Sequence, residues 1–127
     1  VCLLTNDLEQ TATFYTKGLG LEKAFDFERE GRLFGYYLKC GQESYIEVFQ
    51  GQPGQPGSIT HLCLEVESID AVIAHLTREG IAVTAKKKGS DGNYQAWIED
   101  PNGVKIELME YGPDCCQKTG QTCIVNW

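Results

Sequence analysis

The chain has no long apolar run. Its uninterrupted hydrophobic stretches last a few residues, far short of the ~20 that a membrane-spanning helix needs. It also lacks a basic-then-apolar opening of the secretory kind, so a cytoplasmic protein with no membrane partner is expected. Basic residues are in deficit, 11 Lys and Arg against 18 Asp and Glu for a net charge of −7. A surface of that sign repels phosphate backbones and argues against a nucleic-acid partner. Among the six cysteines no CxxC pair occurs, and there are only two histidines. Cys2 and Cys63 sit inside apolar runs and Cys40 ends another, while Cys115, Cys116 and Cys123 fall in a loop-like tail with no histidine to complete a zinc site. Mostly reduced thiols are expected, with a disulfide inside the tail left open.

What the chain does have is a repeat. Residues 1–22 (VCLLTNDLEQTATFYTKGLGLE) and 62–82 (LCLEVESIDAVIAHLTREGIA) align at an offset of 61, so that Cys2 meets Cys63, Leu8 meets Ile69 and Lys17 meets Arg78. Further on, YIEVF at 45–49 matches KIELM at 105–109 at an offset of 60, which sets Glu47 opposite Glu107. Between the copies lies a Gly- and Pro-rich linker, Gly51-Gln52-Pro53-Gly54-Gln55-Pro56-Gly57-Ser58.

Each copy reads as βαβββ. Short strands at 1–5 and 59–66 lead into helix start signals, Asn6 or Asp7 with Gln10 in the first and Ser68 with Asp70 in the second. Leu8, Ala12, Tyr15 and Leu19 share one helix face, as do Ile69, Val72, Ile73 and Leu76. Gly18 or Gly20 and then Gly80 end the helices. Strands follow at 21–29, 32–40 and 43–50, then at 81–88, 93–99 and 103–110, the last two joined by the turn Asp100-Pro101-Asn102-Gly103. The expected fold is α+β: two βαβββ modules related by a pseudo-twofold, with mixed sheets enclosing a cleft. Residues 1–50 form the first module, 51–58 the linker, 59–110 the second module and 111–127 a tail whose Ile124, Val125 and Trp127 dock.

Superimposing the copies singles out His61, Glu47 and Glu107, all among apolar neighbours where an unpaired charge is costly. Strand alternation puts His61, Cys63 and Glu65 on one face, and likewise Tyr45, Glu47 and Phe49, then Lys105, Glu107 and Met109. An imidazole and two carboxylates suit one divalent ion: Zn, Ni, Co, Mn or Fe. The offset of 61 maps His61 to the position immediately before Val1, so a fourth ligand, His or Gln, is expected there. The bland readings are a structural His61 and solvent-facing glutamates paired with lysines such as Lys105. His75 reads as a surface or helix-packing residue.

The segments DLEQTATFYTKGLGLE, HLCLEVESIDAVIAHLTREGI and EDPNGVKIELME together resemble the vicinal-oxygen-chelate superfamily, over residues 1–110. That superfamily holds glyoxalase I, epimerases, extradiol dioxygenases and metal-free antibiotic-binding proteins. The resemblance implies the glyoxalase-like fold and metal ligands at the residue before Val1, Glu47, His61 and Glu107. Glutamate on both last strands favours the glyoxalase-like members over the dioxygenases. It further implies a lyase or isomerase like lactoylglutathione lyase, with proton transfer through a metal-stabilised enediolate. Glu107 is the preferred base and Glu47 the alternative. Cys63 is expected to line the cleft, Tyr45, Phe49 and Trp97 to wall it, and Lys87 of the Lys86-Lys87-Lys88 run to meet an anionic small-molecule substrate, a glutathione conjugate among them. Leu4 departs from the pattern, because many glyoxalase I enzymes carry there an Arg for a glutathione carboxylate. A homodimer is the expected assembly. The alternative is a metal-free protein that binds a drug or metabolite, or an epimerase or dioxygenase on the same scaffold.

Overall fold

The computed structural model describes residues 1–42, 44–54, 61–120 and 123. Part of the linker, the first residues of the expected strand 59–66, and Ile124, Val125 and Trp127 lie outside the described residues. Two compact units emerge, Val1–Thr60 with Asp100–Val104, and His61–Glu99 with Lys105–Trp127. Among the described residues no helix is long and apolar enough to cross a membrane.

The first unit holds β1 (Cys2–Thr5), α1 (Leu8–Thr13, continued by a π-helical turn over Phe14–Gly18), β2 (Glu22–Arg29), β3 (Arg32–Lys39) and β4 (Tyr45–Gln50). The sheet order is β1-β4-β3-β2, with β1 parallel to β4 and the other pairs antiparallel. Asp7 is the residue that caps α1: its side chain accepts from the Gln10 backbone N–H at 2.9 Å, satisfying a donor the helix cannot. Leu3, Leu38, Ile46 and Val48 form the buried sheet face with Leu8 of the helix. Polar groups inside this core are paired, as burial demands. The Thr5 and Thr11 hydroxyls bond each other at 2.9 Å, and Tyr36 donates to the Leu8 carbonyl at 2.9 Å.

The second unit repeats the plan. It contains β5 (Leu62–Glu65), α2 (Ile69–Arg78), β6 (Lys87–Lys88), β7 (Tyr94–Glu99), β8 (Lys105–Glu110) and the short α3 (Cys116–Thr119), with sheet order β5-β8-β7-β6 and β5 parallel to β8. Ser68 caps α2 by accepting from the Ala71 N–H, and the Glu110 side chain takes the Ile69 N–H at 2.8 Å. At the other end Gly80 adopts φ 74°, and bonds from Ile81 N–H to Leu76 and from Gly80 N–H to Thr77 close the helix. Ile69 and Leu76 are fully buried, each stabilising the fold by about 1.5–3 kcal/mol relative to an exposed side chain.

Two expectations change in detail. The strand expected over 81–88 pairs with β7 in regular register only at Lys87 and Lys88. Upstream, Thr84 alone bonds to that edge: its N–H donates to the Trp97 carbonyl, and its hydroxyl accepts from the Trp97 N–H at 2.9 Å. A side-chain oxygen standing in for a backbone carbonyl interrupts the ladder there. The tail, expected to be irregular, forms α3 and is pinned by the buried Asn93, which donates to Asp91 at 2.7 Å and to Gln117 at 2.8 Å and accepts from the Gly112 N–H.

Candidate functional site

Residues in register on adjacent strands point to the same sheet face. In the first unit Cys2, Glu47 and Tyr37 form one such row across β1, β4 and β3. In the second, Cys63, Glu107 and Trp97 form the matching row across β5, β8 and β7. The repeat inferred from the sequence thus extends to the residues beside each carboxylate.

The neighbours then diverge. Glu107 faces His61, with Nε2 and Oε2 3.6 Å apart and side chains 36% and 12% exposed. The His61 ring stands edge-on to Trp97, centroids 5.0 Å apart, and the Trp97 indole N–H donates to Gln95. Glu47 instead accepts a hydrogen bond from the Tyr37 hydroxyl, and its backbone N–H donates to the Val1 carbonyl at 2.8 Å. The bond to Glu47 pushes the Tyr37 hydroxyl up from its ordinary range, with desolvation adding to it. Burial first, and then the Glu107 carboxylate, push the Cys63 thiol up to about 11. Cys2 moves the same way for the matching reasons, burial and then Glu47. Both thiols are therefore protonated near neutral pH and act as small donors beside a carboxylate.

His61 and Glu107, both expected as ligands, come together. Two ligands of one ion at bond lengths of about 2.1 Å and a tetrahedral angle lie roughly 3.4 Å apart, and the separation of 3.6 Å suits that. Glu47 belongs to the first unit. Among the described residues, no three His, Cys, Asp or Glu side chains gather into a metal shell. Cys63 and Trp97 flank Glu107. Tyr45 and Phe49 lie in the first unit, Tyr45 5.7 Å from the Tyr37 ring and Phe49 5.0 Å from Phe27. Lys87 is exposed and registers with Gln95 at the sheet edge. Its neighbour Lys86 is engaged by Asp70 at 2.7 Å and Glu110 at 3.7 Å.

Sequence reasoning missed Tyr37 and the aromatic face around it. Phe25 stacks on Tyr37 at 4.7 Å, Phe27 contacts Phe25, Tyr37 and Phe49, and Phe25 is 50% exposed. Gly35 is required in this face, because a Cβ there would collide with the Phe49 ring and the Val48 carbonyl. The alternation of Phe25, Phe27, Gly35 and Tyr37 along 22–39 was the available signal; it needed the β2–β3 and β3–β4 registers to be used. From sequence Asp100 reads only as a turn residue. It is buried and accepts from Asn102 and Val104 N–H at 2.8 Å each and from the Tyr15 hydroxyl at 3.1 Å.

With this geometry in place, comparison with known proteins identifies the family. The sequence profile of the Glyoxalase/Bleomycin resistance protein/Dioxygenase superfamily matches residues 1–108, and the chain belongs to that superfamily. It is 29% identical over 112 residues to glutathione transferase FosA of Serratia marcescens, covering 84% of this chain and 74% of that one. Lactoylglutathione lyase from Agrobacterium tumefaciens shares the fold at TM-score 0.67 and 23% identity, over 87% of this chain and 90% of that one. So does TnmS3, an antibiotic binding protein from Streptomyces sp. CB03234, at TM-score 0.70 and 23% identity, over 88% and 93%. At that identity the two solved structures establish the fold alone.

Proposed function

We propose that this protein is a divalent-metal-dependent lyase or isomerase of the glyoxalase type, with His61, Glu107 and Glu47 as ligands of one ion. The observation that carries the proposal is the His61–Glu107 pair at 3.6 Å, on a row whose counterpart in the other module holds Glu47. Members of the superfamily typically bind a divalent metal, and an imidazole with two carboxylates is the donor chemistry such an ion takes.

When bound, the ion supplies positive charge for the oxyanion that develops as a proton leaves the neighbouring carbon. The protein's part is to move that proton. Glu107 is assigned as the base. Its side chain is only 12% exposed, so little water competes for the transferred proton. One oxygen of Glu47 is taken up by the Tyr37 hydroxyl, which leaves it less free to swing between ligand and base. Trp97, in edge contact with His61, shields one side of the site from water. Cys63 keeps its proton and stands beside Glu107 on the neighbouring strand. Lys87 is the cation assigned to an anionic group of the substrate. The likeness to a glutathione transferase makes a glutathione conjugate the first substrate to test. A cytoplasmic homodimer is the assembly proposed.

The test is isomerisation of the hemithioacetal of methylglyoxal and glutathione with Ni²⁺ or Zn²⁺ added. Wild type is expected to turn over and Glu107→Gln to lose about 10²–10⁴-fold in rate, the range of general-base catalysis. An inactive wild type refutes the lyase assignment. A second reading, a metal-free protein that holds a flat drug or metabolite, is favoured by one observation: the aromatic face of Phe25, Phe27, Tyr37, Tyr45 and Phe49, on which Phe25 and Tyr45 are exposed. Saturable binding of an aromatic ligand with no metal-dependent turnover would select it.

A further inference from the structure

Cys115, Cys116 and Cys123 lie in the tail, beyond the residues 1–108 that the superfamily profile matches, and the function proposed above uses none of them. Cys115 is fully buried, packed where a side chain on Gly92 would touch its Cα and Cβ. Cys116 begins α3 and is half-buried, as is Cys123. The two half-buried residues meet: the Cys116 thiol hydrogen-bonds to the Cys123 side chain. Neighbours in sequence sit about 3.8 Å apart at Cα, below the roughly 4.4 Å at which unstrained disulfides begin. That disfavours a Cys115–Cys116 bridge and leaves Cys116 with Cys123 as the pair in place.

The contact holds down a cover. On the Glu107 face of β8, Lys105 is exposed, Glu107 half-buried and Met109 buried, so that face closes toward the tail. The Asn93 side chain donates to the Met109 sulfur at 3.6 Å and to Gln117 of α3 at 2.8 Å. The Asp91 carbonyl accepts from the Cys116 N–H, and its carboxylate from the Gln117 side chain, both at 2.8 Å. A helix of four residues does not hold itself together, so these few bonds and the Cys116–Cys123 contact keep it seated.

We propose that Cys116 and Cys123 are a redox modification site: a low-molecular-weight disulfide oxidises them to an intramolecular disulfide that locks the tail over the Met109 end of the Glu107 face. Cys123, as thiolate, attacks the small disulfide, breaking its S–S bond and releasing one small thiol. Cys116 then gives its proton to solvent and displaces the second small thiol as the protein S–S bond closes. Two protein thiols lose two electrons and two protons, and the small disulfide becomes two thiols. Burial first, and then the Cys123 sulfur, push the Cys116 thiol up. That suits Cys116 to the second step, where proximity substitutes for a high thiolate fraction. The lock does not rest on the function proposed above.

The purified chain is equilibrated with glutathione disulfide, remaining thiols are blocked with N-ethylmaleimide, and tryptic peptides are weighed without reduction. Cleavage after Lys105 and Lys118 puts Cys115 and Cys116 on 106–118 and Cys123 on 119–127, so the bridge appears as a linked peptide pair. Wild type and Cys115→Ala should yield that pair from chains that run as monomers on a non-reducing gel; Cys116→Ser should not. Hydrogen exchange reads the lock. Amides of residues 112–120 should exchange about tenfold more slowly in oxidised than in reduced wild type, and at the same rate after either treatment in Cys116→Ser. The pairing is overturned by the absence of a linked pair in wild type, or by a pair that forms undiminished in Cys116→Ser. A linked wild type whose tail exchanges as fast as the reduced chain overturns the lock.

Discussion

Glu47 and Glu107 occupy the same place in two sheets of the same strand order, each beside a cysteine, yet different side chains hold them. In the first module a tyrosine hydroxyl donates to the carboxylate and phenyl rings cover the surrounding face. In the second a histidine faces it at 3.6 Å, a tryptophan replaces the tyrosine, and a cavity opens along the strand edge. The backbone plan places a carboxylate on both fourth strands. The neighbours differ, so duplication of a fold does not duplicate the surroundings of its carboxylates.

The largest expected effect breaks the equivalence directly. Glu107→Gln should lower kcat by about 10²–10⁴-fold at saturating metal, whereas Glu47→Gln should act mainly by raising the metal concentration needed for activity. Steady-state kinetics against metal concentration separate the two; a larger loss of kcat in Glu47→Gln would reverse the assignment.

Next comes stability, where the hairpins differ. Among the described residues the β3–β4 turn closes through a backbone bond, Cys40 N–H to the Ser44 carbonyl at 2.9 Å. The β7–β8 turn is organised by the buried Asp100, which accepts from Asn102, Val104 and Tyr15. Asp100→Ala leaves those donors unpaired, and a loss of about 3 kcal/mol is expected in urea unfolding. Gln42→Ala, on the other turn, should cost under about 0.5 kcal/mol, as exposed substitutions do; equal effects would refute the contrast.

The smallest effect concerns Tyr37. If its hydroxyl orients Glu47, Tyr37→Phe should weaken metal affinity about tenfold, the lower end of what partners of metal ligands contribute. Competition with a chromophoric chelator reads this, and an unchanged affinity means that the hydrogen bond does not matter to the ligand set.

Much of this was legible in the sequence, because the repeat is carried by apolar periodicity and by the two glutamates at an offset of 60. The order of elements along each module followed from that periodicity, and alternation singled out the faces that carry His61 and Glu107, which the structure sets 3.6 Å apart. What stayed hidden depends on which strands are neighbours. Tyr37 meets Glu47 only through the β3–β4 register, and Asp100 meets Tyr15 across 85 residues of sequence. The run 81–88 misled for a local reason: its β-branched residues read as a strand, but Thr84 used its hydroxyl in place of the ladder. Such substitutions of side chain for backbone leave no periodic trace.

The central claim is that His61, Glu107 and Glu47 bind one divalent ion. It is tested most directly by incubating purified full-length chain with Ni²⁺, removing excess by gel filtration, and measuring metal per chain by mass spectrometry. One ion per chain is predicted for wild type, falling below about a tenth of that in a His61→Ala, Glu107→Ala double variant that loses two of its ligands. A wild type that retains no metal, or a double variant that retains as much as wild type, would contradict the account.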